Sequence, residues 1–257
     1  MTAVRFRFAR ENRMSYHYTA QCAAVAPPLE ADWDSPLWRA EEAPIAHFHA
    51  AGSGHRPVAR AKLLYDHDSL SLRFHVDDRY VVATRTRYQE SVCKDSCVEF
   101  FIQPRPEGGY FNFEINCGGA LLAYYIEDAR RTARGFARFT PVAAEHGGRI
   151  AIWHSLPAVV FPERPGPTVW QIACRIPLST LAAYAGPLGA LPGQTWRGNF
   201  FKCADESSHP HWASWAPIGA ELNFHQPACF APIHFAPTAA DFSPLSSHAG
   251  NIPCSSP

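Results

Sequence analysis

Glu99 and Glu114 lie in stretches where polar and apolar residues alternate, and they are the residues best suited to chemistry in this chain. Two carboxyl groups can work on a glycosidic bond as acid and nucleophile or base, so one reading is a glycoside hydrolase or related hydrolase using Glu99 and Glu114. The same groups suit binding without chemistry. Sugar hydroxyls offer donors and acceptors together, and carboxylates and amides answer both. If the two stretches pair with matching faces, Glu99 and Gln103 join Tyr110, Asn112, Glu114 and Asn116 on one polar side. A second candidate is the polar, turn-rich segment 204–215, which carries Trp212 and Trp215. Indole is a broad flat platform for the C–H face of a sugar ring. Trp212 is the better platform, because Pro217 and Ile218 after Trp215 point that residue to the core.

Other chemistries find less support. There is no Gly-x-Ser-x-Gly elbow and no Gly-rich phosphate loop ahead of a helix. His209-Pro210-His211 with Cys203 offers metal ligands, but at the spacing of no standard zinc site. Asp66, Asp68, Asp77 and Asp78 at hairpin ends supply oxygen ligands, so the sequence demands no cofactor and leaves calcium open. The balance favours a non-catalytic protein that binds a mono- or oligosaccharide, and no catalytic residue is assigned.

The elements that must position these residues read as short strands. Leu70, Leu72, Phe74 and Val76 alternate with Ser71, Arg73 and His75. With 58–65 before them and Asp66-His67-Asp68-Ser69 as the turn, they predict a β-hairpin. Stretches 96–103 and 110–116 predict a second hairpin, and Gly118-Gly119 leads into a third strand over 120–126. Residues 130–148 read as a long basic loop, 150–155 as a strand and 157–167 as a Pro-rich break. Thr168 to Ile176 alternates with Trp170, Ile172, Cys174 and Ile176 inward. A short helix begins at 177–181, and 197–203 and 229–235 are the last strands. Asp34 or Ser35 caps a turn with Pro36 at its first helical position, between Trp33 and Trp38. Strands at short intervals without amphipathic helices between them predict an all-β, antiparallel β-sandwich, immunoglobulin-like or jelly-roll-like, with long loops and little helix.

Composition bounds the rest. The 257 residues are 47% hydrophobic and 18% charged, enough to bury a substantial core. The 23 basic residues balance the 23 acidic ones, so no whole-chain field steers nucleic acid or an anionic membrane, and neither is an expected partner. Nothing in the pattern sets the oligomeric state. Of 8 cysteines, Cys97, Cys117, Cys174, Cys203 and Cys229 lie in or beside apolar stretches as small buried hydrophobes. Neither a disulfide framework nor a structural zinc site is expected from their spacing. Residues 1–15 read as a loose leader without a signal-peptide core, 16–236 as the sandwich, and 237–257 as a disordered Ser-, Pro- and Ala-rich tail. The start as written implies the cytoplasm, whereas a mis-assigned N-terminus, with Met14 nearby, would allow a secreted or periplasmic protein.

Several stretches together resemble carbohydrate-binding module family 9-like proteins. They are Asp95 to Ile102 and Tyr110 to Asn116, then Gly198 to Glu206, Pro210 to Ile218, and Asn223-Phe224-His225-Gln226-Pro227 with Phe230. The resemblance implies a β-sandwich with a sugar site on one face, two Trp clamping the sugar, polar helpers including Glu, Gln, Arg and Asn, and structural calcium. Glu99 matches the family's strand Glu. Where a clamp Trp precedes that strand, this chain has Ser91-Val92-Cys93-Lys94, leaving Tyr80 or Tyr88 as substitutes. The expected sugar-binding residues are Glu99, Asn112, Glu114, Asn116, Gln171, Arg175, Lys202, Trp212 and Trp215.

Overall fold

The computed structural model describes residues 16–133 and 135–238. The expected leader 1–15 and all but the first two residues of the expected tail lie outside the described residues. The first strands are β1 (Tyr18–Cys22), β2 (Ala43–Ile45), β3 (His47–Phe48), β4 (Val58–Tyr65), β5 (Ser69–Asp78) and β6 (Val81–Ala83). The centre of the chain forms β7 (Cys97–Gln103), β8 (Tyr110–Asn116), β9 (Leu121–Thr132) and β10 (Gly135–Pro141). It continues with β11 (Ala151–His154), β12 (Val160–Arg164), β13 (Thr168–Pro177), β14 (Thr195–Cys203), β15 (Trp212–Ser214) and β16 (Ala231–Phe235). Two short helices, α1 (Ala144–Gly147) and α2 (Leu178–Ala185), complete the described elements together with three single 3-10 turns. Ser35 caps the first of those turns by accepting from the Leu37 N–H, with Pro36 at its start.

The strands form two layers. The front layer runs β10-β9-β8-β7-β14-β16-β1, and the back layer runs β1-β4-β5-β13-β11. The strand β1 belongs to both: Tyr18 to Ala20 pair with β16, and Gln21 and Cys22 pair with β4. Both of its ladders are parallel, a departure from the expected antiparallel pattern, because β1 enters beside two strands running in its own direction. Between the layers, Phe100, Phe113 and Phe200 from the front join Leu72, Phe74, Trp170 and Ile172 from the back in one buried cluster. Each such side chain contributes about 1.5–3 kcal/mol through burial.

Two stretches differ from expectation. Residues 130–148 are not a loop: β9 runs on to Thr132, β10 returns beside it, and α1 follows. The far half of β9 is polar and mostly exposed, so no apolar alternation marks it; backbone pairing extends the hairpin, with the Arg131 guanidinium lying over the Phe136 ring at 4.1 Å. The Pro-rich break holds β12, which pairs with β6 away from the main layers, where a proline costs no ladder bond. Elsewhere Gly119 makes the expected turn with a φ of 87°, a conformation that favours glycine.

Lys202 lies on the inner side of β14, opposite in direction to Phe201 and Cys203, and is fully buried. Its ammonium is 3.4 Å from the Asp78 carboxylate. It donates to the Cys203 carbonyl at 3.0 Å and hydrogen-bonds His211 Nε2 at 2.8 Å. Asp78 also bonds His55 at 2.7 Å and accepts from Trp170 Nε1 at 3.2 Å. Burial by itself would raise the Asp78 carboxyl, but Lys202 and the His55 bond outweigh it and hold the group well below the usual carboxylate range. Its folded value is therefore below its unfolded one, so its contribution is present at neutral pH and lost as pH falls below about 4. Lys202→Met leaves that carboxylate buried without its cation and should cost about 3–5 kcal/mol of unfolding free energy at pH 7. Urea denaturation at pH 7 and pH 3 checks this. The gap between wild type and variant should narrow at the lower pH, and a variant as stable as wild type at pH 7 would contradict the account.

Candidate functional site

At the centre of the front sheet β7 and β8 are buried on both faces, and the outer face there holds the polar residues picked out by the alternation. Register sets their neighbours: Glu99 of β7 stands directly opposite Glu114 of β8 and opposite Phe201 of β14, while Cys97 stands opposite Cys203. Side chains on one face of adjacent strands come within reach of one another, so these groups form one patch. Part of that face is roofed by the segment before β16. Ile218 and Phe230 cluster with Phe101, Tyr110 and Phe201, and the Phe224 ring stacks on Phe201 at 4.1 Å.

Beside this roof a hollow of about 420 Å³ stays open. Its floor is Glu99, Asn112, Glu114 and Cys203, with Cys93 and Asp205 to one side. Tyr124 of β9, Phe136 and Phe139 of β10, Phe224 and Trp212 supply aromatic walls. The Asn112 amide donates to Glu114 Oε1 at 2.7 Å, and its oxygen accepts from the Tyr124 N–H at 2.9 Å. Trp212 Nε1 donates to Asp205 Oδ1 at 2.7 Å, which fixes the indole at the rim. The Cys203 thiol lies 3.1 Å from Glu99 Oε1.

Both glutamates are almost fully buried, and among the described residues no cation is bonded to them. Burial pushes the Glu99 carboxyl well above its ordinary range, and the Glu114 charge pushes it further. Burial likewise raises Glu114 to about 7, against the lowering effect of the Asn112 bond. Asp205 is raised by the same cause. The Glu pair therefore keeps a proton near neutral pH and presents hydroxyl donor and carbonyl acceptor together. His225, bonded to the Tyr110 hydroxyl at 2.9 Å, is held neutral by burial, which lowers it to about 3.

Of the nine expected residues, the hollow brings together Glu99, Asn112, Glu114 and Trp212. The other five lie elsewhere. Asn116 ends β8, where its amide donates to Asp95 and the Arg85 carbonyl, both at 2.8 Å, and its oxygen accepts from Ala120 N–H at 2.9 Å. Gln171 and Arg175 are on the outer side of β13 in the back layer. Gln171 accepts from Arg73 at 2.8 Å, and Arg175 donates to the Pro27 carbonyl at 2.6 Å. Lys202 faces the interior because the two-residue period puts it on the opposite side of β14 from Cys203. Trp215 is core, edge-on to Phe200 at 5.6 Å. Tyr80 stacks on His209 at 3.6 Å and Tyr88 donates to the Val142 carbonyl, so neither stands in for the absent clamp. The walls missed by sequence reasoning come from the β9–β10 hairpin, and the apolar spacing of Phe136 and Phe139 was the available signal.

The other metal candidates separate. His211 turns inward to Lys202 while Cys203 turns outward. Asp66 caps its own turn, accepting from the Asp68 and Ser69 N–H groups, and Asp78 is at the far end of β5 in the Lys202 network.

The sequence matches the profile of carbohydrate-binding family 9 over residues 38–235. Among solved structures it is similar to a candidate carbohydrate-binding protein from Bacteroides uniformis ATCC 8492, with 29% identity and a TM-score of 0.74 over 85% of this chain and 98% of that one. It is also similar in fold to a family 9 carbohydrate-binding module from Caldicellulosiruptor kristjanssonii. The cellotriose complex of that module gives 13% identity and a TM-score of 0.58 over 89% of this chain and 97% of that one. The glucose complex gives 13% and 0.57 over 89% and 100%. No curated protein matches the chain at a significant level.

The raised carboxyls make a stability prediction. Glu114 binds its proton more tightly folded than unfolded, so its contribution is present below about pH 4 and is lost as pH rises through about 7. Wild type should lose about 2–3 kcal/mol of unfolding free energy between pH 4.5 and 8 on this account, since each tenfold gain in proton affinity on folding is worth about 1.4 kcal/mol. Glu114→Gln should flatten that profile in denaturant titrations, and an unchanged slope would refute the buried-pair assignment.

Proposed function

The chain belongs to carbohydrate-binding family 9, and we propose that its open hollow over Glu99 and Glu114 binds a neutral mono- or oligosaccharide without altering it. The observation that carries this reading is the pairing of proton-retaining carboxyls on the floor with aromatic faces on the walls. A carboxyl that keeps its proton can donate to one sugar oxygen while its partner accepts from a hydroxyl, and no charge on the ligand is needed. The aromatic rings cover the apolar C–H faces and exclude water from those bonds. The volume lies within the range of about 300–1,000 Å³ common to small-ligand sites.

Trp212 acts as the platform, held by Asp205. Asn112 orients Glu114, since its amide is committed to that carboxyl and its oxygen to the backbone. Glucose and cellotriose, held by the Caldicellulosiruptor kristjanssonii module, are the first ligands to try.

Isothermal titration with a panel of mono- and oligosaccharides tests the reading. Trp212→Ala should weaken binding at least about fivefold, from roughly 1 kcal/mol of lost ring contact. Glu99→Ala should weaken it further, and Gln171→Ala on the back layer should leave it unchanged. No binding of any panel sugar at millimolar concentration would overturn the proposal. Turnover of a glycoside that disappears in Glu99→Gln would replace binding by hydrolysis.

A further inference from the structure

The patch beneath the hollow holds two thiols and a carboxyl that the sugar reading does not need as a set. Cys97 and Cys203 are direct cross-strand partners on β7 and β14. Glu99, two residues after Cys97, shares their face and is diagonal to Cys203. One ligand atom from each of the three lies within 4.8 Å of the other two. All three residues are buried. The Cys203 thiol points at Glu99 Oε1 at 3.1 Å, and among the described residues no basic side chain is bonded to Glu99. Around the same spot stand Glu114 and Asp205, two further carboxyls, and the half-buried Cys93, whose carbonyl is 3.6 Å from Cys203 Sγ.

We propose that Cys97, Cys203 and Glu99 form a binding site for a thiophilic divalent cation of the zinc class, with its fourth position open to the hollow. Zinc bonds of about 2.3 Å to sulfur and 2.0 Å to oxygen in a tetrahedron separate the donor atoms by about 3.5–3.8 Å, so modest side-chain adjustments close the site. Thiolate sulfur and carboxylate oxygen are both ligand types that cation accepts, and a set of three protein ligands leaves one position for water or another oxygen donor. Glu99 and Cys203 line the hollow, so the fourth direction faces it and is bordered by Glu114 and Asp205. Arg131, on the wall of the hollow, is the basic side chain that acts on Glu114, and the cation would supply positive charge at the Glu99 end of the cluster. Spacing along the chain hides the site, since Cys97 and Cys203 are far apart in sequence and only the β7–β14 register joins them. On binding, each thiol and the Glu99 carboxyl give up their protons to solvent, and two sulfur lone pairs and a carboxylate oxygen bond the metal, without redox change.

Cobalt(II) titration of the reduced, chelator-treated protein tests this without any sugar present. The expected result is one equivalent bound, an intense thiolate-to-cobalt charge-transfer band and tetrahedral visible bands, all displaced by zinc. Cys97→Ser and Cys203→Ser should weaken binding more than about a hundredfold, beyond the effect of losing an outer-shell partner. Cys22→Ser and Cys229→Ser should leave it unchanged. If either of the first two variants fails to fold, alkylation of wild type with and without zinc supplies the test, with Cys97 and Cys203 expected to be the protected thiols by mass spectrometry. Cobalt bound without a charge-transfer band, protection confined to other cysteines, or no binding at millimolar metal overturns the site. Sugar titrations in chelator report separately, so loss of either site is told apart from loss of the other.

Discussion

The register of β7 against its two neighbours is the constraint on which everything else rests. Because side chains alternate at a period of two, a slip of one residue would send Glu99 inward and bring Val98 or Phe100 to the hollow. As paired, Glu99 meets Glu114 on one side, Cys97 meets Cys203 on the other, and Phe100 stacks with Phe200 at 5.1 Å between the layers. The inner aromatic cluster holds that register, since any other places large apolar rings in a polar cleft. Packing on one face of the sheet thus sets chemistry on the other.

The outer face gains its character from being covered. A half-exposed sheet would leave Glu99 and Glu114 solvated and ionised, as ordinary surface groups. Here the Ile218-to-Phe230 segment and the β9–β10 hairpin close over the sheet and leave a mouth above the acids. Water is withdrawn from the carboxyls, so they keep protons and become paired donors and acceptors. The same withdrawal makes a neutral, hydroxyl-rich ligand or a compensating cation the groups best matched to the cleft.

On the inner face of β14 the same rule of alternation makes a different structure. Lys202, one residue before Cys203, is turned the other way and joins Asp78, His55 and His211 in a buried polar network against Trp170. The burial that raises Glu114 is outweighed for Asp78 by a cation at hand. Neighbouring positions in sequence, Lys202 and Cys203, therefore belong to unrelated sites.

Local patterns alone carried the class of fold and the grouping of three of the residues that line the candidate site. The alternation in 70–76 and 110–116, the turn at Gly118-Gly119 and the Ser35-Pro36 cap are short-range effects that depend on a few adjacent residues, and each is realised. Matching faces on the central hairpin also followed from the pattern, which is why Glu99, Asn112 and Glu114 stand together. What needed the tertiary structure were relations between distant strands. Only the sheet order shows that Gln171 and Arg175 belong to the opposite layer. Only the roof shows that Phe224 reaches the cleft, and only the register shows that Cys97 faces Cys203. The extended β9–β10 hairpin was hard to read because the far half of β9 is polar and mostly exposed, and its pairing rests on backbone hydrogen bonds, which any side-chain sequence can make. Alternation reports which way a residue points relative to its own strand. Which strand lies next to it is settled by the long-range packing of the core.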